Sequence, residues 1–227
     1  MSAIVDFKQL TVEEAIVWFG SIGQNRFRGK QMAAWTRVKG VDDFALMTDM
    51  SKALRTTLAE NATVTSLTVA DRKESADGTI KFLFALPDGH TVESVWIPET
   101  ERATMCVSSQ VGCKLDCSFC LTGAGGFVRN LTAAEIVDQV VKVRLAVPDQ
   151  RITNLVFMGM GEPLDNFDNL VQALKVITDP ELTLVGGRRI TVSTCGLAPA
   201  IERLAAEFPR VKLAVSLNGT TDDQRGA

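Results

Sequence analysis

Histidine occurs once in this 227-residue chain, at position 90. Any metal site must therefore be built mainly from thiolate. Long apolar runs are missing as well, and none approaches the length of a membrane span. The start, Met1-Ser2-Ala3-Ile4-Val5-Asp6-Phe7-Lys8, lacks the basic-then-apolar pattern of a secretory signal. A soluble cytoplasmic protein with no membrane partner is the expectation. Internal repeats and low-complexity tracts are absent too. So is a strong charge of either sign: the net charge is −3 and the isoelectric point about 5.3. That balance argues against a nonspecific polyanion binder. Acid is missing locally, however, from residues 21–40, which hold Arg26, Arg28, Lys30, Arg37 and Lys39. Such a run is a solvated helix face or a contact for an anionic partner.

What is there begins with an apolar share of 46%, enough for a real core and too much for wholesale disorder. The length suggests one or two domains of roughly 150 residues each. Thr11 and Glu14 form a capping box ahead of Ala15, Ile16 and Phe19, with Gly20 as a stop. Residues 29–38 and 50–60 supply further helices, so residues 1–62 read as a small helical module. Residues 63–100 change period. Ile80, Phe82, Phe84 and Leu86 alternate with Thr79, Lys81, Leu83 and Ala85, and Pro87-Asp88-Gly89 turns the chain into a second strand at Thr91–Ile97. This predicts a β-hairpin or meander that links the helical module to the rest of the chain. From residue 101 strands and helices alternate. Strands are expected at Met105–Ser108, Ile152–Met158, Arg189–Thr194 and Val211–Leu217. Helices are expected at Thr132–Val147, Leu170–Thr178 and Pro199–Phe208. That order implies an α/β fold with a parallel sheet and right-handed crossovers.

The strongest local signal is Cys113-Lys-Leu-Asp-Cys117-Ser-Phe-Cys120 on the loop after the first of these strands. Four of the five cysteines fall within fifteen residues, with Cys106 the fourth and Cys195 apart. Clustering of this kind reads as metal or redox chemistry before structural disulfides. Three thiolates can hold three irons of a [4Fe-4S] cube and leave the fourth open to bind a substrate group. The alternative is a closed zinc site, whose fourth ligand would come from Cys106, His90 or Asp116.

With Phe119 before the last cysteine, the spacing resembles that of the radical S-adenosylmethionine superfamily. Longer strings are more specific. Arg102-Ala-Thr-Met-Cys106-Val-Ser-Ser-Gln-Val-Gly-Cys113, Gly126-Phe-Val-Arg-Asn-Leu131, Met158-Gly-Met-Gly161-Glu162-Pro163-Leu164 and Phe27-Arg28-Gly29-Lys30-Gln31 together resemble the RlmN family. These are bacterial dual-specificity methyltransferases acting on adenine C2 in 23S rRNA and tRNA, with the C8-methylating Cfr-type enzymes as relatives. The resemblance implies an incomplete (β/α)6 partial barrel over residues 101–227, a [4Fe-4S] cluster and S-adenosylmethionine as cofactors, an electron donor such as flavodoxin or ferredoxin, and a monomer. It implies Cys113, Cys117 and Cys120 as cluster ligands. It implies cofactor contacts from Gly161, Glu162, Ser193, Ser216, Leu217 and Asn218. It implies Glu93 as the acceptor of the C2 proton, and Cys106 as the thiol that resolves the methylated intermediate by forming a disulfide with a methyl-carrying cysteine. It also implies that residues 26–39 contact RNA phosphate. Cys195 has no counterpart role and reads as packing.

The chain departs from the family in three places. Asn218 stands where some members have histidine, and Gly123-Ala-Gly-Gly126 varies a segment that often carries glutamine. Family members also continue through two more strand–helix units and a tail with the methyl-carrying cysteine. None of the five cysteines here takes that place, so these residues are expected to bind a cluster without methylating RNA. Outside the C2 reading stand a C8-methylating enzyme and a non-catalytic, zinc-holding RNA module.

Overall fold

The computed structural model describes residues 4–115, 117–221 and 224. Its first part is helical. A short parallel pair, β1 (Val5–Asp6) and β2 (Ala62–Thr63), closes around α1 (Val12–Ser21), α2 (Phe27–Ala33) and α3 (Lys52–Asn61). The capping box opens α1 as expected: Glu14 N–H donates to Thr11 Oγ1 and Thr11 N–H to Glu14 Oε2. The α2 helix runs on through a π turn at Ala34–Val38. Phe7, Phe19, Met32, Met47 and Leu58 form the core of this part.

The chain then builds a seven-stranded sheet. Its antiparallel half is β3 (Thr68–Glu74), β4 (Ile80–Ala85) and β5 (Thr91–Pro98), and β5 pairs antiparallel with β6 (Ala103–Cys106). A separate two-stranded ribbon comes next, β7 (Gln110–Gly112) with β8 (Phe127–Asn130), enclosing the one-turn helix α4 (Leu121–Ala124). After α5 (Ala133–Ala146) comes β9 (Asn154–Phe157), then α6 (Phe167–Ile177), β10 (Ile190–Thr194), α7 (Ala198–Glu207) and β11 (Lys212–Val215). The spatial order is β11-β10-β9-β6-β5-β4-β3, with β6, β9, β10 and β11 mutually parallel.

Two features differ from the reading of the sequence. The hairpin expected as a link is part of the main sheet, joined to it through β5 and β6. Its Phe82, Phe84, Val92 and Trp96 pack in one core with Met105, Leu155, Ile190 and Leu174. Full burial of a side chain of this size contributes about 1.5–3 kcal/mol. The strand β3 carries no apolar alternation and is exposed throughout, because it is an edge held by backbone pairing alone. Its Asp71, Arg72, Lys73 and Glu74 charge the free edge, a device that blocks pairing with another chain.

Strand register divides the sheet into two faces. Phe82, Ser94, Trp96, Met105, Leu155, Ile190 and Val192 are buried on one. Lys81, Leu83, Glu93, Val95, Cys106, Val156, Thr191 and Ser193 share the other, and each is half-buried or exposed. The helical module locks on through buried ion pairs. Lys8 Nζ lies 2.7 Å from Asp138 Oδ1 on α5, and Arg37 Nη1 lies 3.2 Å from Asp179 Oδ2 just past α6.

Candidate cofactor site

The three clustered cysteines lie on the tip of the β7–β8 ribbon, whose base is closed by Cys113 N–H donating to Gly126 O at 3.0 Å. The ribbon demands glycine at position 112. Gly112 has φ +73°, and a Cβ there would fall 1.8 Å from Gly126 O. Beyond it the loop folds tightly: Cys117 N–H donates to Leu115 O and Cys120 N–H to Cys117 O, both at 2.9 Å. A Cβ on Gly123 would meet Leu115 O at 2.9 Å, so α4 packs directly against the cysteine loop. Two polar side chains tie the ribbon down. Arg129 on β8 makes a two-pronged contact with Glu135 on α5 and a third with Asp88. Asn166 Nδ2, buried, donates to both Ser109 O and Leu131 O.

Facing the cysteines is the turn after β9. Glu162 is buried, 5% exposed, and accepts Leu164 N–H at Oε1 (3.0 Å) and Cys195 N–H at Oε2 (2.8 Å). Two backbone donors fix a carboxylate without exhausting its roughly four acceptor sites, so it can still take an ammonium. At the ends of β10 and β11, Ser193 Oγ and Ser216 Oγ are 3.0 Å apart. Cys113, Cys117, Cys120, Gly161, Glu162, Ser193, Ser216 and Asn218 all line one cleft of about 450 Å³, with Phe119 and Met158 as apolar wall. The cleft sits at the carboxyl ends of the parallel strands, where open α/β sheets place their ligands.

Three residues expected at the site are not on its lining. Leu217 is exposed beside it. Glu93 shares the sheet's open face but pairs with Lys81 Nζ at 2.8 Å. Cys106 lies on the same face, and burial raises its thiol pKa. Conversely, Cys195, read from the sequence as packing, is half-buried at the site. It lines the cleft, and burial together with the neighbouring Glu162 carboxylate pushes its thiol up to about 11. Gln110 was also missed: fully buried, it joins the ribbon to the Glu162 turn. No periodicity announces either residue.

A cluster fits this donor set. The five cysteines are unpaired thiols, so Cys106 forms no disulfide with any of the others. Burial raises the Cys113 pKa first, and the nearness of Cys117 and Cys120 raises it further, as for thiols gathered at one place. Among the described residues no three His, Cys, Asp or Glu side chains converge closely enough for a single ion. His90 is exposed on the β4–β5 turn and absent from the cleft lining, and Asp116 lies outside the described residues.

Comparison with known proteins now decides the family. The Radical SAM superfamily matches residues 107–225. The chain belongs to the radical SAM superfamily. The ribosomal RNA large subunit methyltransferase N-terminal domain matches residues 5–64. Two dual-specificity RNA methyltransferases RlmN are each 48% identical to it. The one from Geotalea uraniireducens aligns over 97% of this chain and 63% of its own length, and the one from Geobacter sulfurreducens over 99% and 61%. The RlmN resemblance is thus borne out, and the chain spans about three-fifths of the length of these relatives. A crystal structure of a radical SAM methyltransferase from Sphaerobacter thermophilus superposes with a TM-score of 0.88 at 42% identity, over 96% of this chain and 65% of that one. Radical SAM membership carries with it a [4Fe-4S] cluster and S-adenosylmethionine.

Proposed function

We propose that Cys113, Cys117 and Cys120 hold the cluster, and that the whole protein methylates C2 of adenine in 23S rRNA and tRNA. The observation that carries this reading is the convergence of the three free thiols with Glu162, Ser193, Ser216 and Asn218 on one cleft. When bound, the cluster and S-adenosylmethionine supply the radical chemistry that an electron-poor adenine carbon requires.

The chain's own residues bind, orient and move protons. Glu162 accepts the ammonium of the cofactor's methionine end, already pinned by its two backbone donors. The Ser193 and Ser216 hydroxyls and the Asn218 amide serve as hydrogen-bonding groups for the rest of that cofactor, alongside the Gly161 backbone and Leu217. Phe119 and Met158 offer apolar surface at the cleft wall. Glu93 takes the C2 proton at its carboxylate, and Cys106 as thiolate attacks the sulfur of the methyl-carrying cysteine, so that a disulfide forms while the carbon–sulfur bond to the adenine adduct breaks and the carbon released takes up a proton. An adenine must be unstacked to reach such a cleft, which favours a loop in structured RNA as substrate. The setting is the cytoplasm, with a flavodoxin- or ferredoxin-type electron donor and the protein acting as a monomer.

One residue of the basic run, Arg37, drops out as an RNA contact. Arg37 is fully buried against Asp179 and Val176 O, and Lys30 pairs with Glu181. Lys39 stacks 3.3 Å from the Trp35 ring centroid. Arg26, Lys30 and Lys39 are exposed and Arg28 is half-buried, where it donates to Gln31 and to Asp49 O, so these four remain the candidates for phosphate.

The test is anaerobic reconstitution of residues 1–227, followed by iron and sulfide analysis and electron paramagnetic resonance. A cubane spectrum that shifts on adding S-adenosylmethionine supports the reading. Stoichiometric zinc in place of iron would replace it with a metal-binding RNA module. We propose further that these residues alone do not transfer a methyl group, which any methylated adenine product would refute. In the full-length enzyme, mass spectrometry of the product nucleoside separates C2 from C8 methylation.

A further inference from the structure

Gln110 lies at the start of the cysteine ribbon and is fully buried. Its side chain bridges three elements. Oε1 accepts Glu162 N–H at 2.9 Å, while Nε2 donates to Asn130 Oδ1 and to Asp165 Oδ2, each at 2.8 Å. The pattern fixes which amide atom is which, because the flipped amide would set NH2 against Glu162 N–H and oxygen against two acceptors. Asp165 Oδ2 also takes Lys114 Nζ at 2.9 Å, and Lys114 lies between the first two cysteines. A continuous polar chain therefore runs from the Cys113–Cys117 span through Lys114, Asp165 and Gln110 to the backbone of Glu162. The backbones interlock at the same point. Gly161 has φ +96°, and a Cβ on it would meet Gln110 Cβ at 2.5 Å.

The ribbon is a separate sheet from the main one. Ser109 N–H and Gln110 N–H both donate to Met160 O, at 2.8 and 3.2 Å, which ties the start of the ribbon to the turn after β9, and from there the Gln110 side chain carries the link on to Glu162 and, through Asp165, to the cysteine span. A cofactor whose amino-acid end must reach both an iron held by the ribbon and the Glu162 carboxylate depends on the offset between the two. We propose that Gln110 is a positioning residue that sets the distance between the thiolate loop and Glu162, and through it the affinity for S-adenosylmethionine. The inference rests on the cofactor reading of the preceding subsection.

The experiment compares wild type, Gln110→Leu and Gln110→Glu after anaerobic reconstitution. Iron and sulfide are counted. S-adenosylmethionine affinity is measured by equilibrium dialysis with the cluster oxidised, and the reduced cluster's resonance is recorded with and without cofactor. Gln110→Leu should keep its iron, bind the cofactor about tenfold or more weakly, and show a diminished spectral shift, the usual scale for residues that orient ligating groups. Gln110→Glu keeps the shape but sets a carboxylate against Asp165. Its affinity should be low at mildly alkaline pH and recover as pH falls and the new carboxyl gains a proton to donate, while Gln110→Leu stays flat. Wild-type affinity in Gln110→Leu, or in Gln110→Glu at mildly alkaline pH, with an intact cluster would overturn the proposal. So would parallel loss of iron and cofactor in both, which would make Gln110 a folding residue. A wild-type protein whose cluster ignores the cofactor would sink the functional reading itself, a result distinct from either.

Discussion

At Gly112 the chain needs a left-handed backbone and has no room for a Cβ, since Gly126 O occupies the place. Gly112→Ala adds about 1–2 kcal/mol of left-handed backbone strain before any steric clash is counted. The clash falls on the base of the cysteine ribbon, so iron content after reconstitution should drop well below wild type. Far-ultraviolet circular dichroism should stay near wild type, because the ribbon is separate from the main sheet. Cys195 gives a second prediction at this scale. Its thiol is held neutral up to about pH 11 by burial and by Glu162. The thiolate is the nucleophile, so alkylation of the cluster-free protein at Cys195 should be slow at neutral pH. It should quicken about tenfold per pH unit until the thiol titrates. Glu162→Gln removes a negative neighbour, lowers that pKa and should speed the reaction at fixed pH. Mass mapping of iodoacetamide adducts over a pH series measures both.

Between elements, the helical module is held to α5 and α6 by charge buried in pairs. Asp138 is fully buried: Oδ1 faces Lys8 as an ion pair without an aligned hydrogen bond, and Oδ2 accepts Leu67 N–H at 2.6 Å. Asp138→Ala would strand Lys8 and the Leu67 amide at once. Removing one partner of a buried pair costs about 3–5 kcal/mol, to be read as a lower urea midpoint. Arg37 is arranged similarly. It donates to Asp179 Oδ2 and Val176 O while its Nε has no partner, and burial lowers its pKa. Arg37→Glu should therefore unfold the module's attachment rather than act on RNA affinity alone.

On the scale of the whole molecule, the sheet presents an open face. Glu93, Cys106 and Ser193 share it with the mouth of the cleft. Charge reversal at Arg26 and Arg28 should weaken RNA binding across sequences and reduce the dependence on log salt by about one unit per lost phosphate contact. Filter binding at several salt concentrations checks this, and an unchanged slope would remove both arginines from the interface.

The sequence by itself determined the features whose information is local. Alternation in residues 80–86, the Thr11/Glu14 and Thr132/Glu135 capping boxes, the cysteine spacing and the Gly161-Glu162-Pro163 string each depend on residues a few positions apart. Those spacings are dictated by strand pleat, helix pitch and the reach of a short loop. The tertiary structure decided what depends on distant partners. Gln110 meets Glu162 across 52 positions, Cys195 meets Glu162 across 33, and Arg37 meets Asp179 across 142. A buried polar side chain resembles an exposed one in the sequence, and only the fold shows which arginine of a basic run is sealed against an acid. The edge strand β3 was illegible for the complementary reason. Its backbone pairs with β4 while its side chains bury nothing, so no hydrophobic period records it.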